Sequence, residues 1–432
     1  MHFPKITLAL TAAVVASALA CTGTHEVAAK SGTPDLQAAP IAARGNGDTI
    51  KAASSTPSRA AADTDTTVRR TIAAPPHPTP PVLDSLIKGT LPARGLYVYR
   101  FGANTRRLKH LIGIADSTEI NALIIDVKDE FGLNYDSSDP MVKKNAGTQV
   151  KAHNLGALVD TIRAHGILPV ARIVVFKDSV TARNNPEHTI RKADGTAWRD
   201  KKGQTWVNPY ANAIWEYNFR VAEEAIRMGF GEIQFDYIRF PEPYRSLPPQ
   251  VFPEQKGRSK PQVLSEFLSA ARERFAKLGV RTTADVFGLV TTVGGALEVG
   301  QKWEPIAQSV DVVLPMVYPS HYPRGSFQLP RPNAAPYDVI HIAISRARER
   351  DEKLGIKGDH VRPWLQAFSI GTPAYGAHEI EEQKRGVYDA GYDGWVMWEP
   401  GSRYDKFIPA LEKTFVSRKK NPPVPRPANK LD

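Results

Sequence analysis

The run Ile233-Gln234-Phe235-Asp236-Tyr237-Ile238 follows an amphipathic stretch over 214–228 that stops at Gly229. In order, these are a helix, its stop signal and a strand, because glycine just past a helix accepts the left-handed backbone that closes the last turn. The strand is apolar at most positions, as a strand covered on both faces must be. One carboxylate, Asp236, stands in the middle of it. A buried carboxylate is costly unless it is paired, hydrogen-bonded or used.

The same unit recurs along the chain. Apolar runs predict strands at 95–99, 122–127, 168–175, 233–238, 282–287, 312–317, 363–368 and 394–398. Helical patterns lie between them at 155–164, 214–228, 263–278, 339–350 and 379–389, several of them ending in glycine (Gly166, Gly279, Gly391). Eight strands alternating with helices give an α/β protein with parallel pairing, and closure into a (β/α)8 TIM barrel is the economical arrangement. An open doubly wound sheet is the rival, but no glycine-rich phosphate turn follows any of the strands.

The flanks have a different composition. Residues 6–20 are apolar, too short to span a bilayer comfortably, and read as a secretory signal over 1–20. Ala18-Leu19-Ala20 precedes Cys21, the single cysteine of the 432-residue chain. A lone thiol at a mature amino terminus has no internal disulfide to form, so lipid attachment at Cys21 is the preferred reading and soluble secretion the other. Residues 21–82 are a low-complexity Ala/Thr/Pro tether, whose composition offers too little apolar surface to offset ordering entropy. The barrel is expected over 91–415, followed by a basic, Pro-rich tail over 416–432. The chain carries a net charge of +11, yet no dense Lys/Arg run with interleaved aromatics falls inside the barrel, so nucleic acid is not an expected partner.

Function in a parallel barrel gathers where strands end and loops begin. Those positions are unusually polar here: Asp126, Lys128 and Asp129 after the second strand, Gln234, Asp236, Tyr237 and Arg239 around the fourth, and Asp285 on the fifth. Tyr318 ends the sixth, Gln366 lies on the seventh, and Trp398-Glu399 ends the eighth. Alternation along a strand puts Asp126 with Lys128, and Gln234 with Asp236, on one face. Glycoside hydrolysis uses two carboxyl groups, one protonated and one ionised. Asp236 is the candidate nucleophile or base, with Arg239 as its ionising partner. Asp285 is the first candidate for general acid, and Glu399 and Asp129 compete with it. Trp198 and Trp206, in the long loop 176–208 with its Asp194-Gly195 turn, are expected to capture sugar rings on an exposed flap.

Other chemistries find little support. No histidines stand four apart as a zinc pair, no Gly-x-Ser-x-Gly elbow exists, and Asp126 with Asp129 alone make a weak cation site. Neither a metal nor an organic cofactor is expected.

Arg94-Gly95-Leu96-Tyr97-Val98, Asn121-Ala122-Leu123-Ile124-Ile125-Asp126-Val127-Lys128-Asp129, Gln234 to Pro241, Asp285-Val286-Phe287-Gly288 and Pro315-Met316-Val317-Tyr318-Pro319 together resemble a family of glycoside hydrolase barrels distantly related to the alpha-amylase clan. The resemblance implies that Asp236 matches that clan's catalytic Asp on strand four. Two positions depart from the pattern: Trp398-Glu399 stands where the family tends to have Trp-Asn, and Asp285 where the clan's acid is Glu. The expected activity is that of an exported glycosidase on a polysaccharide, with a catalytically idle glycan-binding or scaffold barrel as the alternative.

Overall fold

The computed structural model describes residues 81–104 and 106–413. The expected signal, Cys21, nearly all of the tether and the basic tail lie outside the described residues.

Eight parallel strands close into a barrel: β1 (Arg94–Val98), β2 (Ala122–Asp129), β3 (Leu168–Val174), β4 (Glu232–Asp236), β5 (Arg281–Phe287), β6 (Val312–Met316), β7 (Trp364–Gln366) and β8 (Trp395–Trp398). Each pairs in parallel with its sequence neighbours, and β8 pairs with β1 to complete the ring. Helices at Arg106–Ser117, Leu155–Ala164, Asn212–Arg227, Lys260–Ala276, Pro336–Lys353 and Ala377–Asp389 run back outside it. The helix after β5 is only Trp303–Ala307, and a 3₁₀ turn at Asp405–Ala410 follows β8. Among the described residues no helix is long and apolar enough to cross a membrane.

Two apolar layers result from the alternation of side chains. The outer layer joins strands to helices through residues such as Leu123, Ile125, Ile173, Phe235 and Val286. The inner layer, with Ala122, Ile124, Leu168, Val170, Val312, Leu314, Trp364 and Val396, fills the barrel. At its foot Glu232 is held by Arg362 through two hydrogen bonds of 2.7 and 3.2 Å. Burial opposes ionisation of Glu232, but Arg362 and Arg281 more than offset that and hold its carboxyl below the usual range.

One element escaped the sequence reading. Pro81–Lys88 is a helix that covers the amino-terminal end of the barrel, with Leu83 and Leu86 buried in the inner layer. Its Ile87 lies so near Gly231 that a Cβ there would come within 2.8 Å of it. The folded unit therefore begins about ten residues before the boundary expected at 91.

The segment carrying Trp198 and Trp206 is not an exposed flap. Bridges Thr189↔Val207, Arg191↔Ala197, Arg199↔Thr205 and Arg191↔Val251 fold it into a small ladder. Both tryptophans are 1% exposed inside it, Trp198 donating to the Pro248 carbonyl at 2.8 Å and Trp206 to Asp200 at 3.0 Å. The polar residues that suggested a surface loop occupy the turns, while the rings between them make its core.

Candidate active site

The carboxyl ends of β2 to β5 carry a cluster of charged and polar inward side chains. Asp126 on β2 is register partner to Arg172 on β3, which is partner to Gln234 on β4; Asp236 ends β4, and Asp285 stands on β5. Asp126 and Arg172 are in phase with Ala122, Ile124, Leu168 and Val170 of the inner layer, and Gln234, Asp236 and Asp285 meet them there from β4 and β5.

Arg172 is the centre of this group. Its Nη1 donates to Asp126 Oδ1 at 2.5 Å and its Nη2 to Asp236 Oδ2, while its Nε lies 3.8 Å from Asp285 Oδ2. Tyr97 Oη donates to the other oxygen of Asp126 at 2.5 Å. The second oxygen of Asp236 accepts the backbone N–H of Tyr237 at 2.5 Å, where the chain turns sharply through φ +53°. A left-handed backbone at a bulky residue is uncommon and costs of order 1–3 kcal/mol. The turn ends β4 at Asp236, two residues short of the strand expected over 233–238. Asp285 accepts from Trp364 Nε1 at 2.7 Å and from Gln234 Nε2 at 2.9 and 3.0 Å. Over the guanidinium lie Tyr97 and Trp398, stacked on one another at 4.0 Å, with their ring centres 5.6 and 5.4 Å from its carbon.

The carboxyl groups differ in environment. Burial, with help from the charge of Asp129, pushes Asp126 up to about 6 against the pull of Arg172 and the Tyr97 hydrogen bond. Burial and the neighbouring Asp236 charge push Asp285 well above the usual carboxylate range. Arg172 remains a cation, since its surrounding carboxylates outweigh the cost of burying it. Access also differs. The side chains of Arg172, Asp126 and Asp236 are 7%, 5% and 8% exposed, whereas Asp285 is 1% exposed and sealed beneath the guanidinium.

Several expected site residues have other positions. Lys128 does not share a face with Asp126, because a bulge between them shifts the register. It points into the outer layer, fully buried, with its Nζ 2.7 Å from Asp178 and 5.1 Å from the Tyr217 ring centre. Asp129 is taken by Arg100 through two bonds of 2.7 Å. Glu399 accepts the backbone N–H of Arg403 at 2.6 Å and so braces the turn after β8, which leaves it no contact with the Arg172 cluster. Gln366 is buried and ties Ser320, Phe368 and Asn333 together. Tyr318 packs against Phe368 and His321, both at 5.3 Å. Arg239 is not the partner of Asp236: it pairs with Glu242 at 3.2 Å and lies over Tyr237, Trp206 and Phe287. Tyr237 in turn meets Lys177 at 4.9 Å.

The residue missed in the sequence is Arg172. Its signal was available: a guanidinium in an otherwise apolar strand, in step with the inward Val170. Among the described residues no group of three His, Cys, Asp or Glu side chains is arranged to hold a metal ion.

No curated protein matches the chain. Among solved structures, the glycoside hydrolase domain of PgaB (BpsB) from Bordetella bronchiseptica is 14% identical, covering 74% of this chain and 97% of its own, with a TM-score of 0.55. At that identity the likeness is one of fold. A hypothetical protein from Ruminiclostridium thermocellum ATCC 27405 is 36% identical over 44% of this chain and 97% of its own, with a TM-score of 0.41. The glycoside hydrolase domain of PelA from Pseudomonas aeruginosa is 12% identical over 73% of this chain and 97% of its own, TM-score 0.41. The profile of the family described as "Putative glycosyl hydrolase domain" matches residues 95–404, from β1 to the turn after β8, and the chain belongs to that family.

Proposed function

We propose that this barrel hydrolyses glycosidic bonds of an extracellular or envelope polysaccharide by paired-carboxyl chemistry, with Asp236 as the ionised member and Asp126 as the proton donor. The observation that carries this reading is the Arg172 fork, which holds one carboxyl at each terminal nitrogen beside a stacked aromatic pair. Two neighbouring carboxyl groups with contrasting environments are the mark of divided acid and base roles. Asp236 accepts from the Arg172 guanidinium on one oxygen and from the Tyr237 backbone N–H on the other. Asp126, pushed up to about 6, is poised to give a proton near neutral pH.

Asp285 was the first choice for the acid on sequence grounds. Burial and the charge of Asp236 push its carboxyl well above the usual range, but at 1% exposure it is less open to a substrate oxygen than Asp126 or Asp236. A supporting role beneath Gln234 and Trp364 suits it better. Trp398, stacked on Tyr97 and half-buried, offers the apolar face on which a sugar ring packs.

The test is turnover of a panel of aryl glycosides and polysaccharides by the wild type, Asp236→Asn and Asp126→Asn. Asp236→Asn is expected to lose turnover on every substrate. Asp126→Asn is expected to lose it on natural leaving groups and to keep much of it on nitrophenyl glycosides, which need little acid assistance. Equal loss on both substrate kinds would return the acid role to another residue. Binding of a polysaccharide without turnover would favour the idle glycan-binding barrel. Export and lipid attachment at Cys21 belong to the same proposal, and fatty-acid labelling of the wild type but not of Cys21→Ser is its expected result.

A further inference from the structure

The tip of the hairpin that prolongs β2 carries an exposed aromatic ring for which the fold has no use. Asp129 pairs with Gly132 and Lys128 with Leu133, so Glu130 and Phe131 are the two residues of the turn. Phe131 is 45% exposed, and it is the one exposed aromatic among the described side chains. A large apolar side chain held in water is a site to be explained when it is held rigidly and beside a cleft.

The turn is rigid. Arg100 grips Asp129 through two hydrogen bonds and also donates to the carbonyls of Gly132 and Leu133. Asp129 Oδ1 in turn accepts the backbone N–H of Phe131 at 2.8 Å. Gly132 stands at φ +120° with the Ala146 carbonyl where a Cβ would have to be, 2.2 Å away, so no side chain is possible there. A buried arginine thus fixes a surface turn in a single conformation, at little entropic cost to a ligand that uses it.

The turn also belongs to the mouth of the site. Glu130, next to Phe131, pairs with Lys177 at 3.6 Å, and Lys177 lies over the ring of Tyr237, the residue after Asp236. Asp129 is near enough to Asp126 to raise its carboxyl. Val150, 64% exposed, adjoins the turn, since its carbonyl receives Arg100 at 3.4 Å. Phe131 and Val150 are thus two exposed apolar side chains tied to the same arginine, and Glu130 and Lys177 link the turn to Tyr237 beside Asp236.

We infer that Phe131 is a stacking platform for a sugar unit of a glycan chain that extends out of the cleft, making the site one for polymers rather than for single terminal sugars. The inference rests on the glycosidase reading above. An aromatic face packs on the C–H face of a pyranose, and the surrounding Glu130, Lys177 and Arg100 carry charges already paired, which suits a neutral or weakly charged chain.

Affinity electrophoresis of the full chain in native gels containing glycol chitin, xylan, dextran, carboxymethyl cellulose or alginate provides the test. On whichever of these retards the wild type, Phe131→Ala is expected to raise the apparent dissociation constant roughly three- to tenfold, the value of one aromatic contact. Phe131→Trp should restore retardation, and Met141→Ala, at another exposed apolar side chain, should leave it as in the wild type. Equal retardation of wild type and Phe131→Ala would overturn the platform while leaving the glycosidase reading standing. Retardation of the wild type by none of the five would overturn the glycan reading itself, and the platform with it.

Discussion

Replacing Arg172 with methionine keeps much of the volume inside the barrel and removes one charge from between two carboxylates. Both Asp126 and Asp236 then lose the guanidinium and keep only the Tyr97 hydroxyl and the Tyr237 backbone N–H, respectively. Removing one partner of a buried ion pair costs about 3–5 kcal/mol, because it leaves uncompensated charge in a poor solvent. That cost depends on pH in a definite direction. Asp126 is pushed up to about 6 even with Arg172 present, so the native variant binds more protons than the unfolded chain above the ordinary carboxyl value of 3.8. Wherever the native state binds more protons, stability falls as pH rises, by about 1.4 kcal/mol per pH unit for each proton. Urea unfolding of wild type and Arg172→Met at pH 5 and pH 8 reads this directly. The variant is expected to be about 3–5 kcal/mol less stable at pH 8 and to recover most of that loss at pH 5. A loss that is the same at both pH values would refute the claim that Arg172 acts by balancing the two carboxylates.

Three further outcomes follow from contacts already described. Trp198→Ala should lower stability by about 3–5 kcal/mol, the cost of truncating a buried aromatic, measured as a fall in the thermal midpoint of the wild type. An unchanged midpoint would return the ring to the surface. Lys128→Met should cost a similar amount by stranding Asp178, yet leave the affinity for any retained polysaccharide as in the wild type; a weakened affinity would put Lys128 back in the site. Deleting residues 81–89 removes Leu83 and Leu86 from the barrel's base, at about 1.5–3 kcal/mol each, and a shortened chain that melts like the full one would show that helix to be dispensable.

Much of the barrel was legible because its signals are local and repeated. A two-residue period in a buried strand says which side chains share a face, and this put Gln234 with Asp236. The same rule misled at Lys128, since a bulge is a change of register that depends on the neighbouring strand and leaves no mark in the residues themselves. Arg172 was passed over for a different reason: Arg239 was nearer to Asp236 along the chain, and sequence distance is a poor guide across a closed sheet. Trp198 and Trp206 were assigned to the surface by the composition of their loop, whose lysines and glycine occupy only its turns. The Pro81–Lys88 helix was obscured by proline-rich sequence just before it, although Val82, Leu83 and Leu86 have the spacing of a buried helical face.

Both ends of the described chain meet the barrel at the same pole. The Pro81–Lys88 helix lies across the amino-terminal ends of β3 and β4, where Gly166 and Gly231 approach Val82 and Ile87, and Gly89 just after it meets Arg281 at the start of β5. At the other end Lys413 bridges to Thr118, just before β2 begins. Whatever precedes residue 81 or follows residue 413 is therefore joined to the face opposite Asp126, Arg172 and Asp236.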